Sequence, residues 1–393
     1  MIAAAPTEHS PVTSELVARL ADRAREAERL RRLPAATLAD ATESGLFDLL
    51  VPARYGGQEA PFSAILDPVR RMAHGCASSA WTLGFYTLHN WMLALFSEQA
   101  QTEAFAARPF LAPAPLAPTG HGVACDGGIR LTGRWSWATG VMDGNWIMVG
   151  ALCERTAGDP SSIYPVLALL PIADARIEDV WHTDGMRATG SNDVVIDGAF
   201  VPEHRLVQVA DIYSGTAPGA ALHDSDTYRW PMVPALALLA AMPALGSAER
   251  AAELYTERLS QRFLAYEGVM QKDKPVASIH LGEALVRLRA LRSLLADTVG
   301  EIESIVAAGD PVDLPVRGQA RVAAAHIVHE SRAVIGALLG ASGASAHFVD
   351  NPLQRLKRDV DVIIGHVIFD YDTSRELAGA LTIGQKIPRT AMV

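Results

Sequence analysis

Apolar residues recur every three or four positions at both ends of this chain and alternate in its middle, which predicts helices flanking a β region. Leu16, Leu20, Ala24, Ala27 and Leu30 mark an amphipathic helix rich in Ala, Glu and Arg. A shorter helix is expected over 34–45, and the turn-rich stretch Gly45–Gly57 reads as a connector. Further helices are expected over 64–74 and 79–95. The second carries Trp81, Phe85 and His89, four apart on one face, and then Trp91. Four prolines between Pro109 and Gly122 break the helical pattern.

From about 119 to 210 the period becomes two. Residues 128–140 alternate, with a Thr-Gly turn, and 146–153 and 166–171 are apolar strands. The run 191–202 holds Asp197-Gly198 between β-forming residues and predicts a hairpin. Alternate positions put Trp135 and Trp137 on one face of their strand. From about 228 the helical period returns, with long helices expected near 232–266, 277–308, 316–341 and 352–383. Four long helices after a β region predict a bundle. The expected fold class is α+β: an N-terminal helical domain (1–118), a central β-barrel or sandwich domain (119–215) and a C-terminal four-helix bundle domain (216–393).

At 393 residues, 49% of them hydrophobic and 20% charged, the chain is long enough for two or three domains. A mean hydropathy of +0.14 predicts either very apolar helices or surface buried between subunits. The net charge of −10 argues against nucleic acid or an anionic membrane as partner. Cys76, Cys125 and Cys153 have no ligand-like spacing, which points to a reducing cytoplasm without a zinc or disulfide framework. The N-terminus lacks the basic and long apolar regions of a signal peptide. The apolar run 233–246 is cut by two prolines and is too short to span a bilayer.

The stretch Arg358–Asp372 is where an imidazole and carboxylates interrupt a helix-like apolar run. Val360, Ile363, Ile364 and Val367 recur at helical spacing as a buried face, and His366 lies next to it. A histidine there is either a satisfied core residue or an acid/base or hydrogen-bond donor at a pocket rim. Asp370, four residues on, is spaced to fix the imidazole tautomer on the same helix face, or else faces solvent. Trp81, Phe85 and His89 are either plain core or one wall of an aromatic pocket. His326 and His329, with Glu330, lack the His-Glu-x-x-His order and read as a partly buried helix pair rather than a metal site. No Gly-x-Gly-x-x-Gly follows a strand and no P-loop is present, which excludes a dinucleotide-binding βαβ array. Gly340-Ala-Ser-Gly343 follows a helix and by its own pattern is a helix C-terminal cap.

Several motifs together resemble the acyl-CoA dehydrogenase superfamily, over about residues 14–385. Trp181-His-Thr-Asp-Gly-Met-Arg-Ala-Thr-Gly-Ser191, running on to Phe200-Val-Pro202, is similar to that family's strand-turn segment. Gly133-Arg-Trp-Ser-Trp-Ala-Thr139-Gly140 is similar to the β segment that faces the isoalloxazine. Gly340–Ala344 followed by Pro352-Leu-Gln-Arg355 resembles the loop and helix start that bind flavin phosphates across a subunit interface. Ser260-Gln-Arg262-Phe resembles the segment whose arginine reaches the flavin of a neighbouring subunit. Many members end in an Arg-Asp followed at fixed spacing by Tyr-Glu, where the glutamate is the base. Here Arg358-Asp359 is present, but those two positions are His366 and Val367, and valine takes no proton. Glu267 is the nearest substitute. A histidine at this position resembles another branch, the oxygenase components of two-component flavin monooxygenases.

That resemblance implies reduced FMN or FAD supplied by a separate flavin reductase, with O2 as co-substrate reacting at C4a to give a hydroperoxide. It implies catalytic roles for His366, Thr139 and His89. It places Trp137, Thr139, Gly140, Ser191, Arg262, Gly340 and Gly343 against the cofactor, and Phe85, Trp91 and Asp370 in the substrate pocket. Such chemistry needs a dry cavity, a group holding the flavin N5 proton and a partner orienting the substrate. Thr139, through its hydroxyl or its backbone N–H, suits the second need and His366 the third. The substrate expected is a small to medium aromatic or heteroaromatic molecule or an amine, and the assembly expected is a cytoplasmic homotetramer. The alternatives are a flavin dehydrogenase acting on an acyl thioester and a catalytically inert scaffold of the same fold.

Overall fold

The structure, a computed structural model, describes residues 10–155, 160–388 and 391–393. Five helices open it: α1 (Ser14–Leu30), α2 (Ala35–Glu43), α3 (Leu66–Gly75), α4 (Ala77–Leu93) and α5 (Glu98–Phe105). The first starts where the Thr13 hydroxyl accepts from the Leu16 N–H, and its predicted stripe Leu16, Leu20, Ala24 and Ala27 is buried. The short α5 begins at a Ser97 cap; it buries too few apolar residues to show as a period.

A seven-stranded mixed sheet follows: β1 (Gly120–Cys125), β2 (Gly128–Ala138), β3 (Trp146–Glu154), β4 (Ile163–Pro171), β5 (Arg176–Glu178), β6 (Asn192–Pro202) and β7 (Leu206–Gln208). The spatial order is β5-β6-β2-β1-β3-β4-β7, and only the β1–β3 pair is parallel. Ile147, Val149, Val166, Ala168 and Leu170 lie in the sheet's own core. Met148, Leu167 and Leu169 point the other way, into the core of the helices. Both faces are covered, and for that reason β3 and β4 read as unbroken apolar runs.

Two β bulges correct the sequence reading. The run 191–202 is not a hairpin, since β6 runs straight through Asp197-Gly198. There Leu131 pairs with Ala199 but Gly133 pairs with Ile196, so the extra residue is absorbed at Gly198, at φ +67°. The hairpin falls at the other Asp-Gly, residues 126–127, where Cys125 pairs with Gly128. Further along, Trp135 pairs with Val194 but Ala138 with Asn192, so three steps on β2 oppose two on β6. Trp137 takes a left-handed φ of 64° at that bulge. The two indoles therefore part company: Trp135 is 1% exposed and Trp137 71%.

The remaining elements are α6 (Val209–Ser214), α7 (Met232–Gln261), the hairpin β8 (Phe263–Leu264) with β9 (Val269–Met270), α8 (Pro275–Ala307), α9 (Leu314–Ser342), α10 (Pro352–Ile363) and α11 (Tyr371–Thr382). The apolar run at 233–246 is the first half of one 30-residue helix that continues through Pro243. By length and composition α7 and α9 match membrane spans, but 94% and 56% of their most apolar windows are buried inside this fold. The single helix expected over 352–383 is two helices. It breaks after Ile363, and Val367, expected to be buried, is 61% exposed.

One continuous core runs from α1 through α4 into α7, α9 and α10, so the two helical parts pack as one body. The α3–α7 crossing is close: a Cβ on Gly246 would stand 2.0 Å from the Arg70 carbonyl oxygen. One turn further along α7, the buried carboxylate of Glu249 meets Arg70, His74 and Arg292.

Candidate active site

Residues four apart on α4 stack along one face. Ring centroids lie 4.9 Å apart for Trp81–Phe85 and 5.5 Å for Phe85–His89. The break after α10 brings His366 onto the end of this row, 5.9 Å from Trp81, with Phe369 5.9 Å beyond it. Trp91 does not join the row. It lies two residues past His89 and so about 200° round the helix. It is fully buried, donates to the Thr227 carbonyl at 2.7 Å and packs edge-on against Phe62.

His366 is not helical. It caps the short turn Val367–Phe369, and its Nδ1 accepts from the Ile368 N–H at 3.3 Å. That contact, not Asp370, orients the ring. Asp370 caps α11 by accepting from the Thr373 N–H at 2.8 Å and is exposed. The turn is fastened from α9: His329 donates to the Phe369 carbonyl at 3.1 Å, and His326 bonds Tyr371 Oη at 2.6 Å. The histidine pair considered for a metal thus holds the turn that carries His366.

The two site imidazoles have opposite polarity. Nδ1 of His366 is an acceptor, so its neutral ring carries the proton on Nε2. His89 Nδ1 bonds the Ala112 carbonyl, which only accepts, so its neutral ring has the lone pair on Nε2. Burial pushes the His89 pKa down to about 4 against that bond. Desolvation by the surrounding protein likewise lowers His366 to about 4. Both rings are therefore neutral at pH 7.

Thr139 follows the Trp137 bulge. Its hydroxyl oxygen lies 3.3 Å from Trp81 Nε1 and 3.0 Å from Ser191 Oγ. Ser191 Oγ is 2.7 Å from Thr189 Oγ1, which donates to the Met186 carbonyl at 2.9 Å. Both donors foreseen on Thr139 are already engaged. Its backbone N–H goes to the Trp137 carbonyl at 2.9 Å, and its hydroxyl proton has Ser191 to serve. Gly140, at φ +75°, is required because a Cβ would stand 2.5 Å from Tyr86 Oη, which donates to the Gly140 carbonyl.

The loop before Ser191 is pressed onto α10. A Cβ on Gly185 would lie 2.1 Å from the Arg358 carbonyl oxygen. Gly185→Ala is expected to destabilise the chain by about 1–3 kcal/mol, read as a lower melting temperature; an unchanged one would show that the contact yields freely.

A second cluster lies at the other end of the bundle. Arg258 donates to the Ser342 carbonyl at 3.0 Å and Ser345 Oγ at 2.6 Å, and Arg262 donates to Ser342 at 2.6 Å. They line a cavity of about 370 Å³ with Gln261, Asn351 and Leu353. Neither guanidinium is ion-paired among the described residues, and burial, then the charge of Arg262, lowers the Arg258 pKa. Gly343, at φ +74°, leaves room for Arg262, whose Nη2 a Cβ would meet at 2.5 Å. Gly340 sits inside α9, exposed, with nothing within 4 Å of a Cβ. Glu267 is an exposed partner of Lys274 on the hairpin side, apart from the ring row.

These groups fit a flavin. The exposed indole of Trp137 offers a face for a planar ring, the free lone pair of Thr139 suits a ring N–H, and two arginines without a carboxylate partner among the described residues suit phosphate. Sequence reading missed Arg258, Thr189 and Tyr86. The four-residue spacing of Arg258 and Arg262 on α7 was the available signal for the first.

Helices, then a mixed sheet, then a bundle, with these groups at their junctions, define the acyl-CoA dehydrogenase class of fold. Residues 12–108 match the family model for the acyl-CoA dehydrogenase N-terminal domain and 238–371 that for the C-terminal domain. The chain is 32% identical over 377 residues to the flavin-dependent monooxygenase, oxygenase subunit HsaA, of Rhodococcus jostii (strain RHA1), covering 95% of this chain and 98% of the relative. It is 28% identical to the FADH(2)-dependent resorcinol hydroxylase, oxygenase component, of Rhizobium sp. (strain MTP-10005), covering 92% and 90%. The crystal structure of 3-HSA hydroxylase from Rhodococcus sp. RHA1 superposes with a TM-score of 0.90 at 31% identity, covering 96% of this chain and 97% of that one. The chain belongs to the oxygenase components of flavin-dependent monooxygenases within the acyl-CoA dehydrogenase superfamily. It is an oxidoreductase that uses reduced flavin and O2 and depends on a separate reductase, which settles the choice against an acyl thioester dehydrogenase and an inert scaffold.

Proposed function

We propose that this chain hydroxylates a phenol or a similar aromatic molecule, an aryl amine included, held along the row Trp81, Phe85, His89 and His366. The observation that carries the reading is the pair of neutral imidazoles with opposite tautomers, set in one row of aromatic rings. His89 Nε2 accepts a hydrogen bond from a substrate hydroxyl or amine, and His366 Nε2–H donates one to an oxygen. Trp81 and Phe85 pack on the substrate ring and exclude water. The relative named for resorcinol supports an aromatic substrate.

Trp137, Thr139, Gly140 and Ser191 would hold the isoalloxazine, and Arg258, Arg262 and Gly343 its phosphate end; Gly340 has no contact of its own to offer. When bound, reduced flavin supplies the electrons that activate O2. Thr139 Oγ1, its proton committed to Ser191, accepts from a ring N–H and so keeps that proton in place. The three units divide the work: 1–118 carries the ring row, 119–215 the flavin-facing bulge and 216–393 the arginines and the His366 turn.

The test is anaerobic mixing of the chain with reduced FMN or FAD, then ¹⁸O2, with a panel of phenols and aryl amines. One ¹⁸O atom in the product of at least one substrate is expected. Release of all the oxygen as H2O2 across the panel would sink the reading.

We also place the protein in the cytoplasm as a homotetramer. Its three cysteines are free. Val276, Ile279 and Val286 on α8 are 50%, 64% and 70% exposed, and Phe263 and Tyr266 on the adjoining hairpin are uncovered. Sedimentation is expected to give a tetramer, and Val286→Glu smaller species; a wild-type monomer would refute the assembly.

A further inference from the structure

The motif Gly185-Met-Arg-Ala-Thr189-Gly-Ser191 does more than present one hydroxyl. Its contacts form one unbroken chain across the three parts of the fold. Trp81 Nε1–H on α4 is 3.3 Å from Thr139 Oγ1, which is 3.0 Å from Ser191 Oγ, itself 2.7 Å from Thr189 Oγ1. Thr189 is 2.9 Å from the Met186 carbonyl. On the far side of that residue, the Met186 N–H donates to Asp359 Oδ1 on α10 at 2.6 Å.

All these contacts can be hydrogen bonds at once in one direction only. A carbonyl accepts, so Thr189 gives its proton to Met186. Ser191 must then give to Thr189, and Thr139 to Ser191, because each hydroxyl has one proton. The proton of Thr139 is committed to Ser191 and one of its lone pairs to the Trp81 N–H, which leaves one lone pair to accept. Asp359 stands at the root of this order. It is 1% exposed, and by accepting from the Met186 N–H it holds that residue at its left-handed φ of 51°, the backbone turn that presents the Met186 carbonyl to Thr189.

We infer that Asp359 is a positioning residue: its carboxylate, acting through Met186, Thr189 and Ser191, holds the Thr139 hydroxyl as an acceptor toward the flavin. This rests on the reading of Thr139 as the flavin-facing hydroxyl. Among the described residues, its hydrogen bond is to the Met186 N–H and not to any ring of the row. The charged and titratable groups around it are Glu28 of α1, Cys76 between α3 and α4, and Arg355 and Arg358 on its own helix. Arg358 is itself turned to Glu28 at 2.8 Å and to the Asp184 carbonyl. Burial raises the Asp359 pKa to about 6, against its bond from Met186, so the group titrates within reach of experiment.

The fold contains its own probe. Trp181 Nε1–H also donates to the Met186 carbonyl, at 3.0 Å, so its indole proton reports how firmly that carbonyl is held in place. The protein labelled with ¹⁵N-tryptophan has seven indole signals, and Trp181→Phe assigns the one needed. In flavin-free protein that signal is expected to move downfield as pH rises through about 6 and to be flat in Asp359→Asn. A flat wild-type signal, or an inflection that survives in Asp359→Asn, overturns the proposal.

With reduced flavin, O2 and substrate, Asp359→Asn is expected to raise the ratio of H2O2 to product about fivefold, the size of one net hydrogen bond. Thr189→Val cuts the chain without touching the carboxylate. It is expected to raise the ratio equally while keeping the indole titration, and Thr189→Ser to restore it, which covers the case in which Asp359→Asn does not fold. A normal indole titration with an unchanged ratio in both variants would instead sink the reading of Thr139 as flavin-facing, and this role with it.

Discussion

His366→Ala will lower product formation by roughly 10²-fold or more while reduced flavin is still reoxidised, the oxygen then appearing as H2O2. The argument rests on the tautomer. Nδ1 is tied to the Ile368 N–H, so the ring has one group to offer, a neutral Nε2–H at the end of the aromatic row. With its pKa pushed down by the surrounding protein, the ring neither gains nor loses that proton near neutrality. An amide side chain also presents an N–H, so His366→Asn is expected to recover part of the loss, which a ring acting as a base would not allow. Steady-state product and H2O2 yields for both variants decide it. Equal losses in the two would remove the donor role, and wild-type yields in His366→Ala would remove His366 from the site.

The largest loss of stability is expected from Glu249→Ala, about 3–5 kcal/mol. The carboxylate is 6% exposed and is the shared partner of Arg70, His74 and Arg292, so its removal leaves cations facing one another at the α3–α7 crossing. Burial works against both charges, yet the partners win. Glu249 is held at about 2 by His74, Arg70 and Arg292, and His74 is raised by Glu249 and Glu253. The signs set a pH window. The Glu249 contribution is present above its ordinary value of 4.5 and fades as pH falls toward 2. The His74 contribution is complete below its ordinary 6.5 and fades as pH rises through its raised folded value. The wild-type melting temperature should therefore be highest between about 4.5 and 6.5 as far as this cluster decides it. Glu249→Ala should flatten both flanks. Parallel pH curves for the two proteins would show that the cluster is electrostatically neutral in effect.

Local periodicity carried much of this protein. The stripe of α1, the four-residue spacing of Trp81, Phe85 and His89, and the apolar runs of β3 and β4 each announce an element by the side chains it must bury. The order of helices, sheet and bundle followed from those elements, and the motifs at 133–140, 181–202 and 358–366 led to the flavin monooxygenase branch.

Three things were decided only by the fold. The same dipeptide, Asp-Gly, makes a hairpin at 126–127 and a bulge at 197–198, because the second lies opposite a strand that goes on pairing past it. Trp137 leaves the face of Trp135 because the β2–β6 register slips by one residue, and a period-two reading inverts at every such slip. The helix through His366 ends early because Asp370 is used as a cap and α9 holds the turn with His326 and His329, residues 37 or more positions away in sequence. Period and most of the buried stripes were legible in the chain, since they depend on neighbours a few residues away, while Trp137 and Val367 were placed by a register slip and a helix break. Tautomers, the direction of the hydroxyl chain and the pairing of Asp359 with Met186 belong to tertiary structure, because a proton's position depends on which acceptor lies opposite, and here the acceptors come from other elements.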